Sequence, residues 1–328
     1  MTAAFLATLT PMLTLFLCIA VGFALRKGGI LPDSSGKVMA KLETWVFMPA
    51  LSFMTMARHC TVSTLSTHGT NILLSVVAVA IAIGVAIPLA KAFTRPGTSE
   101  RGVYLYALTF ANSGYMGDPI VQALFGDVGL SYYKVFCLPI SLAIYTYGVS
   151  RMIPGRRGSI LSRIVNPPTV SLLLGMAVGL SGLGARMPAF LSGTLEKLGA
   201  CMGPVAMLLA GFTIAGYRLR GMLSRPKIYA VSLLRLTVLP SLIVVSLFLV
   251  RLLLEAAFHI TVGNAVFFYA FFATGAALGL NTVVFPEAYG GDPETGAGMT
   301  LISHTLAVLS IPLFYSLLVL IFGTPVIG

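Results

Sequence analysis

Charge is what this sequence has least of. Asp, Glu, Lys and Arg make up 9% of its 328 residues, against about 25% in an ordinary soluble domain. Acidic residues are the scarcer sign, 10 against 21 basic ones. That shortage excludes a water-soluble globular domain. Cysteine is scarce too: Cys18, Cys60, Cys137 and Cys201 form no close pair and no metal-ligand spacing. No disulfide framework or metal site is expected from them. The chain has no Walker loop, no paired metal ligands and no Ser/His/Asp or Cys/His order. Catalytic residues, cofactors and direct use of ATP are therefore not expected. No Lys or Arg precedes Arg26, so the charged start of a cleavable leader is missing. The apolar run 4–25 is expected to span a membrane and stay.

Apolar residues are what is there in quantity. They make up 57% of the chain, and the mean hydropathy is +0.94. Ten apolar segments are predicted to be membrane helices: 4–25, 38–57, 70–92, 102–126, 129–149, 167–184, 189–216, 228–253, 263–289 and 297–322. Most approach the roughly 20 residues that one crossing needs. The net charge of +11 sits in short connections, so it reads as a topology signal and not as a nucleic-acid surface. Fourteen basic residues follow the odd-numbered segments: Arg26, Lys27, Lys37; Lys91, Arg95, Arg101; Arg151, Arg156, Arg157, Arg163; Arg218, Arg220, Arg225 and Lys227. Arg58, Arg186 and Arg251 lie on the other side. Positive charge stays inside, which predicts both termini outside the cytoplasm.

Two of the segments are interrupted. The stretch 110–120, FANSGYMGDPI, places Asn112, Ser113, Gly114, Gly117, Asp118 and Pro119 between apolar runs too short to cross alone. Glycine and proline weaken a helix there. Freed backbone groups at membrane depth are tolerated only in protein or beside a water-lined cavity. The stretch 273–286, ATGAALGLNTVVFP, repeats the pattern with Asn281, Thr282 and Pro286. Broken helices at matching places in two halves point to a transporter's substrate site. Dividing the chain at the basic loop 150–166 gives halves 1–149 and 167–328. Segment 4 then matches segment 9, and segment 2 (with Pro49) matches segment 7 (with Pro204). Five helices per half invert the second half relative to the first. The predicted fold is an all-α membrane protein of ten helices in two inverted repeats, with crossed broken helices.

Asn112, Ser113, Gly114, Asn281 and Thr282 are the candidate substrate-binding residues, through side-chain groups and half-helix N-termini that favour anions. The competing reading for the two asparagines is hydrogen bonding between helices. Asp118 is a candidate for a coupling ion, or a cap on the half-helix after the break. Glu43 and Glu196 read as interfacial charge. Arg235 reads as an anion contact or a snorkelling side chain. His304 reads as structural, and Tyr145 and Tyr147 read as interfacial belt residues.

Four stretches resemble the auxin efflux carrier family, in its bacterial organic-acid permease branch. They are 29–53 with GILP, KLE and FMPALSF; 111–126 with ANSGYMGDPI; 198–211 with GPVA; and 281–313 with NTVVFPEAYGGDP and IPL. The resemblance implies two inverted five-helix repeats, a scaffold and a moving part. A proline expected near Leu278 comes instead at Pro286, which puts the second break further downstream. The implied function is secondary transport of small organic anions, with carboxylates foremost, in the inner (plasma) membrane. A proton or sodium ion is left open as coupling ion, and a homodimer through the scaffold helices is admitted. The rivals are a sodium-coupled symporter of the bile-acid type, a channel and a membrane-embedded enzyme.

Overall fold

A computed structural model describes residues 2–95, 97–98, 100–152 and 165–325. Most of the basic loop 150–166 lies outside these residues. Among the described residues the chain is helical, with no β-strand. We label the helices in order: α1 (Thr2–Lys27), α2 (35–59), α3 (Val62–Thr67), α4 (Gly69–Phe93), α5 (Glu100–Thr109), α6 (113–125), α7 (Val128–Met152), α8 (Pro167–Leu180), α9 (Ala189–Gly216), α10 (Leu219–Leu223), α11 (Pro226–Phe258), α12 (Ala265–Gly275), α13 (Asn281–Tyr289) and α14 (Pro293–Phe322). Five of them, α4, α7, α9, α11 and α14, are long and apolar enough to cross a membrane. The chain is an integral, multi-pass membrane protein.

Local chemistry sets several of the boundaries. Proline opens α8, α11 and α14, where its missing N–H costs nothing. Asn166 and Asp292 cap two of these starts, accepting from the N–H groups of Thr169 and Thr295 at 3.0 and 3.1 Å. Gly126, with φ 68°, turns the chain sharply between α6 and α7. A side chain is strained at that φ.

Small residues let the helices approach closely. A Cβ on Gly22 of α1 would meet the Leu208 carbonyl of α9 at 2.0 Å, and one on Gly211 would meet the Ile19 carbonyl at 1.9 Å. This is the packing that small residues allow in a bilayer, where the hydrophobic effect does not drive helices together.

Among the described residues four helices carry a π turn, at 43–47, 113–117, 144–148 and 234–238. Such turns insert a residue and rotate the face beyond it, and they gather at functional sites. Here they hold or adjoin Glu43, Asn112, Tyr145 and Arg235.

Both predicted breaks are present. α5 stops at Thr109 and helix resumes at Ser113; α12 stops at Gly275 and resumes at Asn281. The second break precedes Asn281 directly. Pro286 sits inside α13, which corrects the downstream placement expected from that proline. The breaks lie against each other. Ala111 and Leu278 form an antiparallel bridge, and the Asn112 N–H donates to the Ala277 carbonyl at 2.7 Å. The Leu278 N–H donates to Ser303 Oγ at 3.2 Å. One bond across the crossing and one to the Ser303 side chain of α14 thus satisfy freed backbone groups inside the protein, as a low-dielectric interior demands.

Candidate functional site

A cavity of about 80 Å³ sits where the two breaks meet. Asn112, Ser113 and Gly114 form one wall, and Gly279, Leu280 and Asn281 another. Ser52 and Thr55 of α2, Tyr106 of α5, Tyr115, Asp118, Lys134 and Tyr145 add to its polar lining. Helix N-termini at Ser113 and Asn281 therefore reach the same space. It is small beside typical ligand pockets of about 300–1,000 Å³. A second cavity of about 330 Å³ adjoins it, lined by Arg58, His59, Lys134 and Glu196 among others. Leu51, Thr55 and Lys134 line both.

The structure brings most of the sequence-predicted residues together. Asn112, 2% exposed, holds an amide whose Nδ2 lies 3.2 Å from His304 Nε2. His304 Nδ1 lies 2.8 Å from the Thr300 carbonyl. A carbonyl only accepts, so Nδ1 carries the proton and Nε2 accepts from Asn112. That contact fixes the amide and leaves Asn112 Oδ1 without a partner. His304 is thus a positioning group, beyond the packing role expected of it. Asn281, 6% exposed, donates from Nδ2 to Tyr106 Oη at 2.7 Å, and its Oδ1 is also unpartnered. Each asparagine is held by one bond and keeps an acceptor free. Thr282 does not reach the cavity: it is fully buried and its hydroxyl donates to the Gly279 carbonyl at 2.9 Å.

Asp118 is ion-paired with Lys134 across the α6–α7 hairpin. The helix resumes at Ser113 with Asn112 at its N-cap position, so Asp118 lies inside the resumed helix and not at its start, and the capping alternative gives way to an ion pair. Lys134 was legible only as a charge inside an apolar segment, which already makes a residue a functional candidate. Arg58 and Glu196 form a second ion pair, between α2 and α9, beside the larger cavity.

Three further readings change. Arg235 does not snorkel: it is fully buried in its π turn, and none of its three guanidinium nitrogens has a hydrogen-bond partner. Tyr145 is not a belt residue but a buried part of the cavity wall. Glu43 is not interfacial: it is fully buried, with both oxygens unpartnered. Among the described residues no group of three or more His, Cys, Asp or Glu is placed to hold a metal ion.

Two interrupted helices that cross inside an apolar bundle, with polar groups aimed at one cavity, are the architecture of a membrane transporter. The chain belongs to the auxin efflux carrier family: the family model described as membrane transport protein matches residues 7–162 and 157–315. It is similar to an uncharacterized transporter of Methanocaldococcus jannaschii, 22% identical over 62% of this chain and 68% of that protein. It is also similar to an uncharacterized transporter of Methanothermobacter thermautotrophicus, 25% identical over 64% of this chain and 69% of that one. These likenesses point to transport and not to an enzyme.

Proposed function

We propose that the chain is an alternating-access carrier of small organic anions, with carboxylates foremost. In this reading ten helices form two inverted five-helix repeats, 1–149 and 167–328, in the inner membrane. The observation that carries it is a cavity walled by both breaks. A substrate there exchanges water for fixed groups: the asparagine amides, Ser113 and two half-helix N-termini, whose partial positive charge favours an anion. Lys134 adds a cation at the edge of the cavity. Arg235 adds one deeper in the bundle, within electrostatic reach of Tyr106, the residue that holds Asn281. Asp118 offsets part of this field, so an anion competes with it for Lys134. The larger cavity, at the end of α2 away from Arg26 and Lys37, is the outer vestibule in this orientation.

The test is flux through purified protein in liposomes, with labelled acetate, succinate and citrate. A carrier gives saturable uptake of at least one of them, accelerated by the same unlabelled compound inside. Linear uptake with no acceleration would mean a channel, and conversion to product would mean an enzyme. The orientation has its own test. Positive charge inside places Gly158 in the cytoplasm, in a loop outside the described residues. A cysteine at Gly158 is expected to resist an impermeant thiol reagent added to intact cells and to react after permeabilisation. Ready reaction in intact cells would reverse the topology.

A further inference from the structure

One carboxyl group in the bundle has no counter-charge. Glu43 opens the π turn of α2 and is fully buried. Its one polar neighbour is the Ala206 backbone of α9, a weak hydrogen-bonding contact that falls short of full hydrogen-bond geometry at either carboxyl oxygen. An ionised carboxylate there gives up its water and receives no counter-charge in return, and a proton on it removes that cost.

The titratable groups around it do not supply a cation. Tyr115 and Tyr145, from the π turns 113–117 and 144–148, lie within electrostatic reach of Glu43. On its own helix Lys41 is exposed, and Arg58 is engaged with Glu196 at the far end. On α9, Glu196, Lys197 and Cys201 are exposed. α8 has no titratable side chain. On α13, Glu287 lies against Gly36 and within electrostatic reach of Arg26 and Lys37; the other titratable group there is Tyr289. A metal cation fits no better. Among the described residues no group of three or more His, Cys, Asp or Glu is placed around it to hold one.

Glu43 nevertheless lies within electrostatic reach of two residues of the cavity wall. Tyr115 and Tyr145 both line the cavity at the breaks, and the buried Tyr115 hydroxyl is itself unpartnered. Glu43 belongs to α2, packed on α9, whereas Tyr115 belongs to the interrupted helix. Any movement of the crossed helices against α2 and α9 changes what covers Glu43.

We propose that Glu43 is a proton-binding site that couples transport to the pH gradient. The proton reaches it through the cavity and the two tyrosines in the arrangement of this structure. It leaves to the opposite side after the crossed helices have moved. This rests on the carrier reading above and names its coupling ion.

The experiment compares wild type, Glu43→Gln and Glu43→Asp in liposomes, using the three labelled carboxylates, with and without an imposed pH gradient. Glu43→Gln keeps the shape of the neutral acid and cannot exchange a proton. It is expected to retain counterflow exchange and to lose accumulation above equilibrium. Glu43→Asp is expected to retain both. The infrared band of a protonated carboxyl group is expected in wild type and missing from Glu43→Gln. Gradient-driven accumulation in Glu43→Gln would overturn the proposal. So would wild-type accumulation driven by sodium alone, an ionised Glu43 in the infrared spectrum, or loss of counterflow in both variants. Wild type that exchanges none of the three carboxylates would instead count against the carboxylate reading, while the infrared result still decides whether Glu43 holds a proton.

Discussion

Asn112→Ala is expected to weaken substrate binding by roughly ten- to a hundredfold, from about 1.5–3 kcal/mol for a hydrogen bond to a charged group at about 1.4 kcal/mol per tenfold. The amide is pre-positioned. His304 Nε2 takes one N–H, and Thr300 holds His304 in turn. An amide has a second N–H and a carbonyl oxygen to offer, and that oxygen is without a partner. The backbone contact of Asn112 with Ala277 does not need the side chain, so the crossing survives the substitution. Asn281→Ala is expected to act in the same direction. It also strands the Tyr106 hydroxyl, so part of its effect falls on stability. Titration of purified protein with the transported carboxylate checks both. Unchanged affinity in Asn112→Ala would remove the break from the binding site.

The ion pair of Asp118 and Lys134 predicts the second large effect. Removing one member strands the other, which costs about 3–5 kcal/mol in a buried pair. The side chains keep 21% and 17% exposure, so the lower end of that range is expected. Asp118→Asn and Lys134→Gln should each lower thermal stability, and the double variant should recover most of the loss. A double-mutant cycle on the unfolding temperature measures the coupling. Lys134→Gln should also slow anion entry and flatten its salt dependence, because Lys134 lines both cavities. Additive losses would mean that the pair contributes nothing. Loss of gradient-driven uptake in a well-folded Asp118→Asn would place the coupling ion there and not on Glu43.

The breaks were legible because Asn, Gly and Pro stand out against an apolar background. Asn112 and Asn281 could be singled out for that reason alone. Their partners could not. His304 is 192 positions from Asn112 and Tyr106 is 175 from Asn281, and no local pattern links residues so far apart. The second break lies upstream of the place that Pro286 suggests. Proline removes one hydrogen bond, but α13 accommodates it; the five residues before Asn281 leave the helix instead. Glu43, Tyr145 and Arg235 were misplaced for a shared reason. Each stands near a segment end, where interfacial or snorkelling side chains are expected, but each lies in a π turn that holds it inside the bundle. Pairing of Asp118 with Lys134 depends on the turn at Gly126, which folds α7 back beside α6.

Access to Gly114 from each side of the membrane tests the carrier mechanism most directly. Gly114 is exposed in the cavity wall, and a Cβ there would meet nothing within 4 Å. A cysteine therefore fits without displacing a neighbour. With the four natural cysteines replaced, Gly114→Cys is expected to react with an impermeant reagent from the outside of sealed vesicles and, in inverted vesicles, from the other face. The transported carboxylate should slow both reactions. Reaction from one face alone, with substrate giving no protection, would contradict alternating access at this crossing.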